Sequence, residues 1–192
     1  MDAIEILLGF DARGPGSKLP EEYFSTYLLR DGIGEVLTVD TMLWPSAVED
    51  SPAWIGMNAP FWEDLLSLER QVAGGGPYSL IASTWHSKPG EERGPVGPYI
   101  GATVPAGRDP GWSFLGYDVA DPSISGLSNC GYSEEERREL APVWGPRLNS
   151  HHLLEDLDHA FEFRDLTNAR VPEHAPFFVI GLWLIGEVQW LQ

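Results

Sequence analysis

Glycine and proline are frequent in this chain, and they limit the length of every helix and strand that it can form. The 192 residues include 21 Gly and 16 Pro, which are scattered along the sequence rather than collected in one linker. Because both residue types interrupt regular structure, the pattern predicts short elements joined by turns and long Gly/Pro-rich loops. The length fits a single globular domain over residues 1–192.

Short apolar and aromatic segments between these turns predict strands. The segments that we expect to be strands are residues 4–10, 23–29, 35–39, 78–85, 99–104, 112–119 and 177–185, the last extending as far as Trp190. Residues 43–59, with two prolines and two tryptophans, predict a long ordered loop.

Three segments have the features of helices. Residues 61–72 repeat apolar side chains at helical spacing after Pro60, which suits a first helical turn. Ser133 and Glu136 form a capping box that predicts a short helix, ended or kinked by Pro142. The third predicted helix covers residues 150–161, with an apolar face of Leu153, Leu154, Leu157 and Phe161. The expected fold is therefore α+β, a mainly antiparallel sheet packed by two or three helices.

Acidic side chains exceed basic ones along the whole chain. The sequence has 29 Asp and Glu against 12 Lys and Arg, a formal net charge of −17. Such a surface lacks the cations that neutralise nucleic-acid phosphates or bind anionic membranes, so we expect neither as a partner. The same field speeds the encounter with a basic protein.

Cysteine use and hydropathy predict a cytoplasmic protein. A single cysteine, Cys130, excludes an internal disulfide. The first residues carry acid where a signal peptide carries base. The longest apolar stretch, residues 177–185, is shorter than the about 20 residues that a membrane span requires.

A candidate metal site follows if residues 150–161 are helical. His152, Asp156 and His159 would then lie on one face, at spacing i, i+4 and i+7. Imidazole and carboxylate groups bind zinc, so this face makes a metal-dependent hydrolase an alternative function. The spacing differs from His-Glu-x-x-His, and a solvated polar face of an amphipathic helix is the more common meaning of such a pattern.

Cys130 is a second candidate for chemistry, because it precedes the capped helix. A position near a helix N-terminus favours the thiolate, and a histidine elsewhere would complete a cysteine-dependent hydrolase. The glutamates at 134–136 oppose a thiolate. A lone cysteine is also more often a small buried hydrophobe than a nucleophile.

The predicted loop over residues 43–59 has the composition of a binding hot spot. Trp44 and Trp54 lie there beside Glu49 and Asp50, so apolar anchors occur within a charged rim. With the overall charge, this composition favours a protein-binding module for a basic partner that needs no cofactor. The candidate partner-binding residues are Trp44, Glu49, Asp50, Trp54, Glu91, Glu92, Glu155, Asp156 and Asp158.

A more specific hypothesis comes from composition alone. Acidic bacterial immunity proteins, which occlude a co-expressed toxin such as a nuclease, have the same general character of a small, acidic, aromatic-rich domain. The sequence therefore favours an immunity-type inhibitor over an enzyme. On this hypothesis the carboxylates steer association, and loop aromatics supply much of the affinity.

Overall fold

An antiparallel sheet and three helices make up the described part of the chain, which consists of residues 4–14, 62, 64–73, 77–91, 109–120 and 133–188 of a computed structural model. The strands are β1 (Ile4–Arg13), β2 (Tyr78–Ser87), β3 (Ser113–Ala120) and β4 (Phe178–Val188). The helices are α1 (Leu65–Val72), α2 (Glu134–Trp144) and α3 (Leu157–Arg170), and a 3-10 turn over Gly145–Arg147 follows α2.

This architecture confirms the predicted α+β fold with a mainly antiparallel sheet. The strands lie in the order β1-β2-β4-β3, and each neighbouring pair is antiparallel. The four strands correspond to those predicted at residues 4–10, 78–85, 112–119 and 177–185. The strands predicted at 23–29, 35–39 and 99–104 and the loop predicted at 43–59 lie outside the described residues.

The strand register divides the sheet residues between two faces. Trp85 pairs with Ile6 on β1 and with Ile180 on β4, so these three side chains share one face and belong to one buried cluster. The residues next to them along each strand point the other way, onto what we call the helix face. That face includes Val179, which belongs to a second buried cluster with residues of α2 and α3.

The helices cover two parts of the helix face. Residues of α2 and α3, among them Trp144 and Phe163, pack against Val119 and Val179. Leu68 and Val72 of α1 pack in a third cluster near the other end of β1 and β2. None of the described helices combines the length and apolarity that crossing a lipid bilayer demands.

Both outer strands make backbone contacts on their outer sides. The amide and carbonyl of Phe10 in β1 exchange hydrogen bonds of 2.9 and 2.8 Å with Trp62. The amide and carbonyl of Tyr117 in β3 do the same with Leu154, at 2.7 and 2.9 Å. These exchanges cover part of each edge, where unpaired strand groups would otherwise be open to another chain.

Helix α1 begins at Leu65, four residues after residue 61, where the predicted helix begins. Trp62 is extended because it pairs with Phe10. The cap is Asp64, whose side chain accepts a 2.9 Å hydrogen bond from the amide of Ser67. The apolar repeat was therefore a correct guide to the buried residues of the helix but a poor guide to its start.

The predicted capping box of α2 is present. Ser133 Oγ accepts from the amide of Glu136 at 3.3 Å, and the Glu136 carboxylate accepts from the amide of Ser133 at 2.9 Å. Pro142 lies inside the last turn, and the helix continues to Trp144 before the 3-10 turn begins. Proline lacks the backbone N–H that would complete one hydrogen bond of the helix, but the helix does not end there, so of the two predicted outcomes the end at Pro142 is wrong.

The helix predicted at residues 150–161 is correct only for residues 157–161, because α3 begins at Leu157 and continues to Arg170. The Asn149 side chain organises a turn instead, accepting from the amides of His151 at 2.9 Å and Leu153 at 3.2 Å. Leu153 and Leu154 precede the helix and enter different buried clusters. Asp156 caps α3 by accepting from the amide of His159 at 3.0 Å.

Candidate functional site

The three residues of the predicted metal face do not share a helix. His152 lies in the turn before α3 with a φ of 57°, Asp156 is the N-cap, and His159 is in the first turn. The 3.0 Å bond from the His159 amide engages an Asp156 oxygen that lies 3.9 Å from His159 Nδ1. Among the residues that the structure describes, no three His, Cys, Asp or Glu side chains are grouped to hold a metal ion.

Only some of the predicted partner-binding residues lie in the described part of the chain. Glu155, Asp156 and Asp158 are exposed around the start of α3. Within the described part of the chain, neither Glu155 nor Asp158 forms an ion pair. The other predicted residues, which are Trp44, Glu49, Asp50, Trp54 and Glu92, lie outside the described residues, as does Cys130.

Glu91, also predicted to contact a partner, forms an ion pair with Arg164 of the same chain. The guanidinium of Arg164 donates to its two oxygens at 2.9 and 2.7 Å, joining the turn after β2 to α3. This hydrogen bonding by Arg164 holds the pKa of Glu91 below its ordinary value of 4.5. Arg164 also contacts Asp165 at 2.6 Å, and Lys88 donates to the second Asp165 oxygen at 2.6 Å.

Most described cations are engaged by carboxylates of the same chain. The described ion pairs take up Arg13, Lys88, Arg147, Arg164 and Arg170. Acidic side chains nevertheless outnumber basic ones by more than two to one among the described residues. Most described cations are therefore neutralised by carboxylates of the chain. The carboxylates that form no such pair determine the sign of the surface field.

The helix face carries a cluster of aromatic and polar side chains that sequence reasoning missed. We call it the aromatic–histidine cluster, and its members are Thr84, His86, Phe114, Tyr117 and Trp183. The Phe114 ring lies 4.6 Å from Trp183 and 4.7 Å from Tyr117, measured between ring centroids. Tyr117 in turn makes an edge contact with His86 at 5.2 Å. Three strands thus contribute to one continuous group of rings.

Thr84 joins the two ends of this group by hydrogen bonds. Its hydroxyl lies 2.9 Å from His86 Nε2 and accepts from the indole N–H of Trp183 at 3.1 Å. The hydroxyl also donates to the carbonyl of Gly181 at 3.3 Å. A Cβ on Gly181 would lie 2.7 Å from both Thr84 Oγ1 and His86 Nε2, so the cluster requires glycine there.

The burial of Thr84 and His86 limits the reactions in which their side chains could take part. A hydroxyl within hydrogen-bond reach of an imidazole is the geometry of a nucleophile and its base. Thr84 and His86 are only 1% and 3% exposed, whereas Phe114 is 38% exposed. Phe114 is therefore the most exposed ring of the cluster, while the buried Thr84 hydroxyl holds the Trp183 indole in place.

The sequence contained part of the signal for this cluster. Thr84 lies in the strand predicted at residues 78–85 and His86 follows its last residue, so a strand continued by one residue places both on the face opposite Trp85. Bringing His86, Tyr117 and Trp183 together depends on the strand order and register, which local sequence patterns leave undetermined.

No protein family model, curated protein or solved structure matches the chain.

Proposed function

We propose that this protein is an acidic protein-binding module that engages a basic partner. The single observation that supports the proposal is the imbalance of described charges, in which most cations are held in ion pairs while carboxylates such as Glu155 and Asp158 stay exposed. A field of this sign attracts a cationic protein surface and raises the rate of encounter.

The finer form of the proposal is an immunity-type inhibitor in the cytoplasm. Its carboxylates would cover the cationic residues with which a toxin such as a nuclease binds its own substrate. Composition and net charge support this form, since a negative protein surface competes with phosphate for the same cations.

The test begins with the full chain as bait in lysate of the native host, at low and at moderate salt. The expected result is a partner with a basic pI whose association rate, measured with both purified proteins, falls steeply as salt rises. Recovery of only neutral or acidic partners, or an association rate indifferent to salt, contradicts the proposal.

A pair of matched variants tests which carboxylates raise the rate of association. Replacing both Glu155 and Asp158 by their amides should slow association more than replacing Glu69 and Glu173, which removes the same charge from exposed positions elsewhere. Equal effects of the two double variants would assign the attraction to net charge rather than to the start of α3.

A further inference from the structure

We propose that Phe114, supported by Tyr117 and Trp183, binds an arginine side chain of the basic partner. This inference rests on the proposed function and adds the chemical group that the aromatic–histidine cluster recognises. Arginine binding at Phe114 differs from the electrostatic attraction by the acidic residues, because the arginine contacts the face of an aromatic ring.

Exposure and ring geometry make Phe114 the point of contact. Its side chain is 38% exposed, while Trp183 beside it is 9% exposed. The rings of Tyr117 and Trp183 lie 4.7 and 4.6 Å away and are tilted by 59° and 46°. The exposed phenyl is thus the part of the cluster that a planar cation can reach, and the two neighbouring rings pack against it.

The contact surface is held rigidly before any partner arrives. Phe114 pairs with Trp183 across β3 and β4, and Tyr117 pairs with Gly181. The Trp183 indole is also fixed by its 3.1 Å bond to Thr84. A ring group fixed in this way loses little conformational freedom on binding, so more of the contact energy appears as affinity.

Other rings in the chain indicate which group fits. Arg147 lies 4.4 Å from the Trp144 ring centre, and Arg164 lies 4.9 Å from that of Phe161. Within the described residues, no cation of the chain lies over Phe114. Two described aromatic rings are therefore covered by the chain's own guanidinium groups, whereas Phe114 offers the same surface to an outside group.

Charge and geometry favour arginine as that group. The net charge of −17 attracts cations, and Asp109 adds an exposed carboxylate in the turn that precedes β3. A planar guanidinium stacks on an aromatic face and is more weakly hydrated than the ammonium of lysine. We therefore expect arginine to be preferred over lysine at equal charge.

The test uses two N-acetylated hexapeptides of equal charge, one of arginine and one of lysine, with the full chain at low salt. Wild type should bind the arginine peptide more tightly. Phe114→Leu, which keeps apolar bulk but removes the ring, should weaken arginine binding about two- to fivefold and reduce the preference. Phe114→Trp should preserve it, and Leu66→Ala, at an exposed apolar position on α1, should change nothing.

The possible results separate this inference from the proposed function. Failure of both peptides to bind wild type at low salt would contradict the proposed function and the inference with it. Salt-dependent binding with equal affinity for the two peptides, or an arginine preference unchanged in Phe114→Leu, would overturn the inference alone. Circular dichroism of each variant establishes that a loss of binding is not a loss of fold.

Discussion

Two carboxylate–guanidinium pairs in this protein have similar geometry and very different surroundings. Arg13 Nε donates to Asp11 at 2.7 Å, and both side chains are completely buried on the sheet. Arg164 donates to Glu91 at the same distance, but Glu91 is 33% exposed. The first pair lies within β1, and the second joins the turn after β2 to α3.

Because their surroundings differ, the two pairs contribute differently to the stability of the fold. Burying two charges costs several kcal/mol per ion unless further hydrogen bonds compensate. Ser83 provides such bonds, since its hydroxyl donates to Asp11 at 2.7 Å and accepts from Arg13 at 3.2 Å. The buried pair therefore ties β1 to β2 in one register, whereas the Glu91 pair fixes a surface turn at lower desolvation cost.

The largest expected effect comes from breaking the buried pair. Asp11→Ala removes the described carboxylate partner of Arg13 and should lower the free energy of unfolding by roughly 3–5 kcal/mol, measured by urea denaturation. The double variant Asp11→Leu with Arg13→Met should recover most of this loss, because it leaves neither charge of this pair buried without the other. A single-variant loss no larger than that of Ser83→Ala would contradict this account of the pair.

A smaller and pH-dependent effect is expected at Glu91. Arg164 holds the pKa of Glu91 below 4.5 in the folded state. The stabilisation is therefore complete above that pH and is lost as pH falls through the folded pKa. At pH 7, Glu91→Gln should cost about 1–2 kcal/mol.

The measurement is the free energy of unfolding of wild type and variant from pH 7 to pH 3. The two curves should converge as the pH falls below 4.5. Glu69→Gln, an exposed acid on α1, is the control and should follow wild type throughout. A constant separation between wild type and Glu91→Gln over the whole range would show that the carboxylate charge is not what Arg164 stabilises.

The smallest effect is expected for a pair that lies mostly in solvent. Arg147 and Glu162 are 3.4 Å apart, and Glu162 is 62% exposed. Glu162→Gln should change stability by less than about 0.5 kcal/mol, and added salt should abolish the difference. A loss above 1 kcal/mol that survives in high salt would show that exposure is a poor guide to the strength of these pairs.

Features set by neighbouring residues could be predicted from the sequence. The four described strands are apolar or aromatic runs between turn residues, and the capping box of α2 depends on two side chains three positions apart. The third helix was misplaced because Leu153 and Leu154 continue a helical repeat while their side chains enter separate clusters. The side chain of Asn149, which holds the intervening turn, carries no periodic signal.

The aromatic–histidine cluster and the Glu91–Arg164 pair could not be predicted from neighbouring residues, because their members are far apart in the sequence. His86, Tyr117 and Trp183 lie on three strands, and their contacts exist only after β4 has inserted between β2 and β3. Glu91 looked like one of many surface acids until α3 placed Arg164 beside it. Local rules describe each residue correctly here, but the contacts follow from topology.

The backbone exchanges of Phe10 with Trp62 and of Tyr117 with Leu154 also bear on behaviour at high concentration. Sheets grow into fibrils when the open side of one molecule's outer strand templates another. At these two positions the amide and carbonyl groups that such templating needs are already engaged. A neighbouring molecule that paired there would first have to displace Trp62 or Leu154, so less of each outer strand is open to such templating.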